Sequence, residues 1–341
     1  MAGLPLAVTL GEPAGIGPDL TLVLWRRRLE LDLPAFYVIG DPEFYRQRAR
    51  LLGLDVPVIE TTPALANKTF PRALPVVALD MTVTAQPGRP DASSAPAAIA
   101  SIRAAVADVI AGRAAAIVTN PIAKSVLYRG GFAEPGHTEY LAKLAEESTG
   151  RSYRPVMLLW SNELAVVPVT IHLPLKDVVT QLSTDLIVET GRIVARDLIA
   201  RFGIARPRIA VAGLNPHAGE EGTLGEEDSA IVAPAVARLR AEGIDAVGPL
   251  PADTMFHERA RAAYDVAMCM YHDQALIPIK TLAFDHGVNV TLGLPFVRTS
   301  PDHGTAFDIA GTGKANPMSL AAALALAARL SAAAPALVAA K

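Results

Sequence analysis

The sequence predicts an α/β protein built from two α/β/α domains with mainly parallel sheets, and three observations lead to this prediction. Short apolar runs alternate with helical segments along the chain, and those at 6–10, 36–40 and 75–79 are predicted to be buried strands. An alanine-rich helix at 93–111 is followed by a strand at 114–120, which completes a βαβ unit. A length of 341 residues and a hydrophobic content of 51% favour two domains, each with a substantial core.

The second half of the chain continues this alternation. Four apolar runs are predicted as strands, namely VMLLW, LAVVPVTIH, RIAVAGLN and YDVAMCMYH, with amphipathic helices between them. The segment HTEYLAKLAEES is predicted as a short helix with Thr138 as its N-cap. The chain is expected to cross between the domains twice, so that one domain takes 1–130 plus 285–341 and the other takes 131–284.

Composition and charge exclude several function classes. The net charge is −3, and without a basic surplus to neutralise a phosphate backbone the chain is not expected to bind nucleic acid. Cys269 is the only cysteine, so an intramolecular disulfide is impossible and a reducing compartment is expected. The alanine-rich C-terminal segment contains Arg329 and Pro335 and is predicted to be a packing helix rather than a membrane span. A cytoplasmic location without a membrane partner is expected.

Three of the predicted strands end in a histidine. The run LAVVPVTIH ends at His172, RIAVAGLNPH at His217 and VAMCMYH at His272. Ligands in open α/β sheets bind at the carboxyl ends of strands, and three imidazoles at one edge suit a divalent metal with a position left open for substrate. The alternative is that each histidine caps a loop or bonds a carbonyl group.

Other charged and polar residues follow apolar segments in the same part of the chain. Lys280, Asn289 and Arg298 come after His272, and two cations with an amide are suited to hold a phosphate or a carboxylate. Alternatively, they are surface residues around a loop. Asp253, in GPLPADTMF, is a further carboxylate that either serves the metal site or caps the helix that follows.

Two glycine-rich loops fail the tests for common nucleotide-binding motifs. GEPAGIGPD, at 11–19, lies between a strand and a helix, but its glycines follow the order G-x-x-x-G-x-G rather than G-x-G-x-x-G. GTGK, at 311–314, is no P-loop, because Asp308 stands where the first glycine is required and Ala315 where Ser or Thr binds magnesium.

A third loop carries a longer match. SPDHGTAFDIAGTGKANP, at 300–317, resembles the HGSAPDIAGKGIANP-type segment of isopropylmalate and isocitrate dehydrogenases, where it holds the adenosine part of NAD(P) without a Rossmann fold. The resemblance implies a cofactor-binding loop with contacts from His303, Gly304, Thr305, Asp308 and Asn316.

Further matching segments run from residue 11 to beyond residue 310. In order they are GEPAGIGPD, VTNPIAK, GHTEYLA, VTIHLPL, LNPHAGEEGTLGEED, GPLPADTMF, MYHDQALIPIK and VNVTLGLPFVRTSPDHGTAFDIAGTG. On these segments the sequence resembles the 4-hydroxythreonine-4-phosphate dehydrogenases of pyridoxal phosphate (vitamin B6) biosynthesis. VTNPIAK departs from the more usual VTAPINK-like form, and Ala275 stands where many members have glycine, but neither change falls on an implied ligand.

This resemblance implies a fold like that of isopropylmalate dehydrogenase, with the active site in the interdomain cleft, and a homodimer with shared active sites. The metal histidines and the dimer interface are implied for the second domain and the NAD loop for the first. The implied metal ligands are His172, His217 and His272, which are the histidines at the strand ends. The implied substrate-binding residues are His137, Thr138, Lys280, Asn289 and Arg298.

The implied reaction is the oxidation of 4-phosphohydroxy-L-threonine at C3 by NAD or NADP, followed by decarboxylation to 3-amino-2-oxopropyl phosphate. One divalent metal per site, zinc, cobalt or magnesium, is expected to assist it. Asp253 and Lys280 are the expected catalytic side chains, Asp253 as a base or water-orienting group. Paralogues acting on D-threonate or D-erythronate 4-phosphate are the alternative, and a non-catalytic sugar-phosphate-binding protein is a more distant one.

Overall fold

The computed structural model describes residues 3–134 and 136–333. The chain forms two compact units, of which the first is Met1–Pro155 with Leu294–Lys341 and the second is Val156–Gly293. The predicted division has the same discontinuous plan, but it places both changes of unit earlier in the chain than the structure does.

Packing explains both differences in the boundaries. The helix His137–Thr149 contacts the helix Ala95–Ile110, which keeps it in the first unit beyond the predicted change at residue 130. The strand Val288–Leu292 pairs with Val156–Trp160 along its whole length, and this pairing extends the second unit beyond residue 284.

The secondary structure alternates between strands and helices through most of the chain. The strands are β1 (Leu6–Thr9), β2 (Phe36–Gly40), β3 (Val58–Thr61), β4 (Leu74–Ala78), β5 (Ile117–Val118), β6 (Val156–Trp160), β7 (Ala165–Pro168), β8 (Arg208–Ala212), β9 (Asp245–Leu250), β10 (Val266–Cys269), β11 (Val288–Leu292) and β12 (Arg298–Pro301). The α-helices are α1 (Gly17–Arg26), α2 (Pro42–Leu51), α3 (Pro63–Thr69), α4 (Ala95–Ile110), α5 (Lys124–Arg129), α6 (His137–Thr149), α7 (Leu175–Gln181), α8 (Thr184–Phe202), α9 (Ala233–Ala241), α10 (Glu258–Arg261), α11 (His272–Ala283) and α12 (Met318–Ala333).

The first unit contains a parallel sheet in the order β3-β4-β2-β1-β5-β12. Helix α4 packs on β1 and β2, and its Ser101 hydroxyl accepts a hydrogen bond from the Leu10 amide at 2.9 Å and donates one to the Ile39 carbonyl at 2.8 Å. This buried hydroxyl fixes the helix at the carboxyl ends of both strands, where the glycine loop at 11–19 begins.

The second unit contains strands in the order β11-β6-β7-β10-β8-β9. β6 pairs antiparallel with β11 and β7, whereas β7, β10, β8 and β9 are parallel to one another. Strands β7, β10 and β8 are therefore neighbours whose carboxyl ends lie at one edge of the sheet.

The prediction of an α/β fold with mainly parallel strands is confirmed. The predicted strands at 6–10, 36–40 and 75–79 correspond to β1, β2 and β4, and the helix at 93–111 corresponds to α4, which begins after a 3₁₀ turn at Ala92–Ser94. The prediction of Thr138 as an N-cap is wrong, because α6 begins one residue earlier and its N-cap is Gly136, which has no capping side chain.

Within the described part of the chain, one helical stretch, Ala92–Ile110, is long and apolar enough to cross a membrane. Its Ile102 and Val106 belong to the hydrophobic core of the first unit, and 56% of its most apolar window is buried in the protein. Core packing therefore accounts for the apolar composition of this stretch.

Candidate active site

The three strand-end histidines follow the three neighbouring parallel strands of the second unit. His172 lies shortly after β7, His217 lies in a turn after β8, and His272 is the first residue of α11 after β10. His172 and His217 both have a positive φ, of 54° and 51°, which is uncommon for residues other than glycine. The structure thus brings all three to the carboxyl edge of one sheet.

His172 and His272 are close to each other. Their ring centroids are 5.7 Å apart, and the Nδ1 of His272 is 2.7 Å from Oδ1 of Asp273. When Nδ1–H donates to this carboxylate, Nε2 keeps the lone pair that a metal requires, and the carboxylate makes the ring a stronger ligand. His172 and His272 are therefore arranged as two possible metal ligands, and the Asp273 carboxylate contacts the ring nitrogen of His272 that would not bind the metal.

His217 occupies an unusual left-handed turn. All five residues from 217 to 221 have a positive φ, and the Asp228 carboxylate braces the approach to the turn by accepting from the amides of Leu214 at 2.7 Å and Asn215 at 2.9 Å. The His217 side chain is exposed. Among residues 3–134 and 136–333, no three His, Cys, Asp or Glu side chains are grouped closely enough to hold a metal, so His217 does not complete the pair.

Lys280 lies on the same face of α11 as His272, two helical turns further on. This face lines a cavity of about 460 Å³ whose walls are His272, Asp273, Leu276, Ile277, Lys280 and Thr281. The lining thus combines an imidazole, an ammonium group and a hydroxyl with the Asp273 carboxylate, and the ammonium group of Lys280 is the group among them that suits an anionic ligand. Asn289 lies in β11 opposite Leu159, with a partly buried side chain.

In the first unit, Arg298 is a buried cation at the start of β12. Its Nε and Nη2 donate to the Thr119 hydroxyl at 3.1 and 2.6 Å, and only 4% of the residue is exposed. Burial lowers the pKa of Arg298 to about 10, which leaves the guanidinium charged at neutral pH. A buried charge of this kind favours an anionic ligand.

His137 is the first residue of α6 and is electrostatically coupled to Arg298. Burial of the ring, and secondly the charge of Arg298, lower the pKa of His137 well below 6.5, so the imidazole is neutral at physiological pH. Its Nε2 is shielded from solvent and has no hydrogen-bond partner among the described residues. The pair therefore presents a cation and an unsatisfied ring nitrogen, and Thr138 follows directly in the first turn of the helix.

Asp253 is exposed in a 3₁₀ turn, Ala252–Thr254, that follows β9. This turn packs against the turn that carries His217. The alternative that Asp253 caps the next helix does not hold, since the N-cap of α10 is His257, whose ring accepts from the Ala260 amide.

The segment at 303–316 packs against the glycine loop at 11–19. The Ile16 amide donates to the Thr305 carbonyl at 3.0 Å, and a Cβ at Gly15 would lie 2.8 Å from the same oxygen, so only glycine fits there. His303 contacts the Gly304 carbonyl through Nδ1, and Asp308 is exposed in a 3₁₀ turn. The Asn316 side chain accepts from the Met318 amide at 3.0 Å, so it already serves the start of α12.

Comparison with known proteins identifies the family of the chain. The model of the family described as pyridoxal phosphate biosynthetic protein PdxA matches residues 32–327. The chain belongs to this family. A 4-hydroxythreonine-4-phosphate dehydrogenase of Bradyrhizobium diazoefficiens is 66% identical, with 97% of this chain and 98% of that protein covered. One of Xanthobacter autotrophicus is 65% identical, with 97% and 94% covered. This PdxA family member is therefore an oxidoreductase.

The crystal structure of a 4-hydroxythreonine-4-phosphate dehydrogenase from Klebsiella pneumoniae superposes with a TM-score of 0.83 and is 38% identical. The alignment covers 96% of this chain and all of that one. A dehydrogenase family implies a nicotinamide cofactor, and the PdxA family also implies a metal.

The residues present fit a divalent metal in donor chemistry and, for two of three histidines, in placement. Imidazole nitrogens are good ligands for zinc and cobalt, and the Asp273 contact is of the kind that supports a metal-binding histidine. His217 follows β8, the strand next to β10, and is not grouped with the other two histidines.

Sequence reasoning missed the residues that hold the two glycine loops of this PdxA family member together. Asp19 accepts from the Gly311 amide at 2.6 Å and forms a buried ion pair with Arg48, which also donates to the Pro13 carbonyl at 2.6 Å. Asp19 lies within the GEPAGIGPD motif, but nothing in the sequence links it to Arg48 in α2.

Glu12, in the same loop, was also missed. Its Oε1 accepts from the Ala14 amide at 3.0 Å and from the Ser94 hydroxyl at 3.2 Å, while Oε2 is enclosed and has no partner among the described residues. Burial raises the pKa of Glu12 above its usual value. A carboxyl that holds its proton can donate a hydrogen bond, which an ionised one cannot.

Proposed function

We propose that this protein oxidises 4-phosphohydroxy-L-threonine at C3 with NAD, or NADP, and then decarboxylates the product to 3-amino-2-oxopropyl phosphate in the cytoplasm. The observation that carries the proposal is the pair of imidazoles, His172 and His272, at the carboxyl ends of neighbouring parallel strands. The substrate is supported by the similarity to the 4-hydroxythreonine-4-phosphate dehydrogenase of Bradyrhizobium diazoefficiens, which is 66% identical.

The chemistry balances in two steps. In the first, the hydrogen on C3 leaves as a hydride to the nicotinamide, the hydroxyl proton leaves to a base, and a C3 ketone forms. In the second, the C1–C2 bond breaks and CO₂ departs. The electron pair moves toward the C3 oxygen as an enolate, which is then protonated at C2.

The metal is proposed to be held by Nε2 of His272 together with His172 and His217. A divalent metal, when bound, supplies a Lewis acid for the C3 oxygen in both steps. Zinc, cobalt and magnesium are all candidates, and the imidazole ligands favour the first two. The Asp273 carboxylate keeps the His272 ring in the tautomer that exposes Nε2.

The phosphate of the substrate is proposed to bind Arg298, with His137 and Thr138, in the first unit. Asn289 is proposed as a further substrate-binding residue. The Arg298 guanidinium is charged and desolvated, and Nε2 of His137, which has no hydrogen-bond partner among the described residues, is close enough to be coupled to it electrostatically, so a phosphate oxygen would accept hydrogen bonds from both groups. The phosphate would thereby fix the orientation of C3 relative to the cofactor.

Lys280 and Asp253 are proposed as the catalytic side chains. Lys280 lies along the same face of α11 as His272, and its ammonium group would stabilise negative charge on the C3 oxygen during loss of CO₂. Asp253 is exposed beside the turn of His217, and its carboxylate would take the hydroxyl proton directly or through a water.

The segment with His303, Gly304, Thr305, Asp308 and Asn316 is proposed to hold the adenosine part of the cofactor. This proposal is supported by the packing of the segment on the glycine loop. At Gly15 the two segments touch through backbone atoms, because there is no side chain at this position. The Asp308 carboxylate is exposed and suits the ribose hydroxyls of NAD better than the phosphate of NADP.

A homodimer with shared active sites is proposed to complete the metal centre. His172 and His272 are adjacent without His217, which is the arrangement expected if a second copy of the chain supplied the third ligand. The exposure of His217 on a braced turn agrees with a role toward a second subunit.

The test is NAD reduction, followed at 340 nm, with 4-phosphohydroxy-L-threonine beside D-threonate and D-erythronate 4-phosphates, before and after chelation. We expect turnover with the first substrate, loss on chelation and recovery with zinc or cobalt. His272→Ala should abolish turnover, while the control His286→Ala, which removes an exposed histidine after α11, should retain it.

Three results would change the proposal. Preference for a threonate or erythronate phosphate would keep the chemistry and replace the substrate. Binding of all three phosphates without any NADH formation would instead favour a sugar-phosphate-binding protein. Full activity of His272→Ala after chelation would remove the metal centre.

A further inference from the structure

Three buried hydrogen bonds join the strand ends that carry the histidines. The Thr170 hydroxyl donates to the Met270 carbonyl at 2.7 Å, and the Met270 amide donates to Oε1 of Gln274 at 2.7 Å. Nε2 of Gln274 then donates to the Gly213 carbonyl, also at 2.7 Å. We call this chain of contacts, from Thr170 through Met270 and Gln274 to Gly213, the strand-end bridge.

The strand-end bridge begins where the backbone pairing of the sheet stops. The ladder between β10 and β8 ends at the pair Met268 and Val211, beyond which the Gln274 side chain makes the next connection between the two segments. On the other side, β7 continues alongside β10 through the Thr170 amide and hydroxyl, both of which bond to Met270. The Gln274 side chain thus adds one hydrogen-bonded connection between β10 and β8 beyond the strand pairing, and Thr170 adds one between β10 and β7.

Each end of the strand-end bridge lies close to a histidine along the chain. Thr170 is two residues before His172, Gln274 is two residues after His272, and Gly213 is four residues before His217. The bridge is thoroughly buried, with Thr170 5%, Met270 0% and Gln274 9% exposed. Buried hydrogen bonds of this length restrict the relative movement of the segments that they join, because a lost partner leaves a buried polar group unsatisfied.

We infer that Gln274 and Thr170 are positioning residues that hold the three histidine-bearing strand ends of each chain in place for metal binding, with His217 serving the site that the chain shares with a second subunit. The inference rests on the proposed metal centre. Neither side chain is placed on the metal or the substrate, and each acts through the backbone that it holds. Gln274 holds Gly213 and Met270 together, so its loss should change the positions of both His217 and His272. Loss of the Thr170 hydroxyl should change the position of His172.

The experiment measures zinc affinity by competition with a chromogenic chelator, together with the urea midpoint of unfolding. Gln274→Met and Thr170→Val keep the volume and remove the hydrogen bonds, and each should weaken zinc binding about 10- to 100-fold. Thr170→Ser keeps the hydroxyl and should restore affinity close to that of the wild type.

The control is Ser161→Ala, at the opposite end of β7 from His172. The buried Ser161 hydroxyl accepts from the Leu164 amide at 3.1 Å in the turn between β6 and β7, so its loss should destabilise the same unit without touching the strand-end bridge. We expect a lower unfolding midpoint for this variant and an unchanged zinc affinity. A general effect of destabilisation would weaken zinc binding in Ser161→Ala as well.

The share of the Gln274 effect on zinc affinity that acts through His217 is tested in a His217→Ala background. There Gln274→Met should weaken zinc binding less than it does in the wild type, because the Gly213 end of the strand-end bridge no longer leads to a ligand. Equal effects in both backgrounds would remove His217 from the inference and leave Gln274 acting on His272 alone.

The failures are distinguishable. If the wild type binds zinc no better than a His172→Ala/His272→Ala variant, the proposed metal centre is wrong and this inference falls with it. If the wild type binds zinc through those histidines and Gln274→Met and Thr170→Val bind it equally well while folded, the metal centre stands and the strand-end bridge is an ordinary structural contact.

Discussion

The two units hold their candidate functional groups in different ways. In the first unit, Arg298 is buried, and the loop beside the 303–316 segment is fixed by a buried ion pair. In the second unit, the side chains of His172 and His217 are exposed, and hydrogen bonds fix the backbone segments that carry them rather than the side chains themselves. The candidate charged groups of the first unit are therefore buried, whereas the candidate metal ligands of the second unit are exposed to solvent on a backbone that hydrogen bonds hold in place.

This difference has an energetic consequence. A buried charge costs free energy unless it is paired, so removal of a partner in the first unit should be strongly destabilising. An exposed imidazole costs almost nothing to keep, so its removal should affect function without affecting folding. The contrast predicts that stability and activity separate in the second unit and fall together in the first.

The largest effect is expected for Asp19→Ala. The substitution leaves the Arg48 guanidinium buried without its carboxylate and the Gly311 amide without its acceptor. Loss of one partner of a buried pair typically costs about 3–5 kcal/mol, and urea unfolding should show a decrease of this size. Binding of NADH, followed by fluorescence, should weaken in parallel because the side-chain contact between the two loops is lost.

Two variants sharpen this prediction. Asp19→Asn keeps an acceptor for the Gly311 amide but removes the charge, so it should recover part of the NADH binding and little of the stability. Glu30→Gln removes an exposed ion pair with Arg27 in the same unit and should leave both quantities nearly unchanged. A stable Asp19→Ala protein would show that burial of the pair does not dominate this loop.

An intermediate effect on stability is expected for His217→Gly. His217 has a φ of 51°, and a left-handed conformation costs a non-glycine residue roughly 1–2 kcal/mol. Since glycine loses more entropy on folding, by about 0.5–1 kcal/mol, the variant should be as stable as the wild type or slightly more stable. Chelator-sensitive NAD reduction should nevertheless be lost.

Ala218→Gly is the matched control for this substitution. Ala218 has a φ of 53° in the same turn and is not a ligand, so it should show the same small gain in stability with activity retained. Loss of activity in both variants would mean that the rigidity of the turn, rather than the imidazole, is what the reaction requires.

The sequence predicts the parts of this molecule that depend on local pattern. The parallel strands, helix α4 and the three histidines at strand ends could all be found from runs of apolar residues and the residue that follows each run. The ion pair of Asp19 with Arg48 could not, because it depends on how α2 packs over a loop 29 residues away along the chain. The strand-end bridge could not be predicted for the same reason, because nothing in the sequence around a glutamine at the start of a helix indicates that its side chain bonds to another strand.

The smallest effect is expected in the pH dependence of stability, and it concerns Glu12. Burial raises the pKa of this carboxyl, so the folded protein holds a proton that the unfolded chain releases above pH 4.5. The free energy of unfolding should therefore fall as the pH rises from 4.5 through the higher pKa of the folded state. Glu12→Gln should remove this decrease, whereas Glu60→Gln, at an exposed position in β3, should retain it.

His137 contributes with the opposite sign, and this separates the two groups. Its pKa is lowered in the folded state, so its contribution to stability is present above pH 6.5 and is lost as the pH falls toward the folded value. Thermal unfolding of wild type, Glu12→Gln and Glu60→Gln between pH 5 and 8 will measure the net slope. A Glu12→Gln slope identical to that of the wild type would show that Glu12 is ionised in the folded protein and that the first unit tolerates a further buried charge beside its glycine loop.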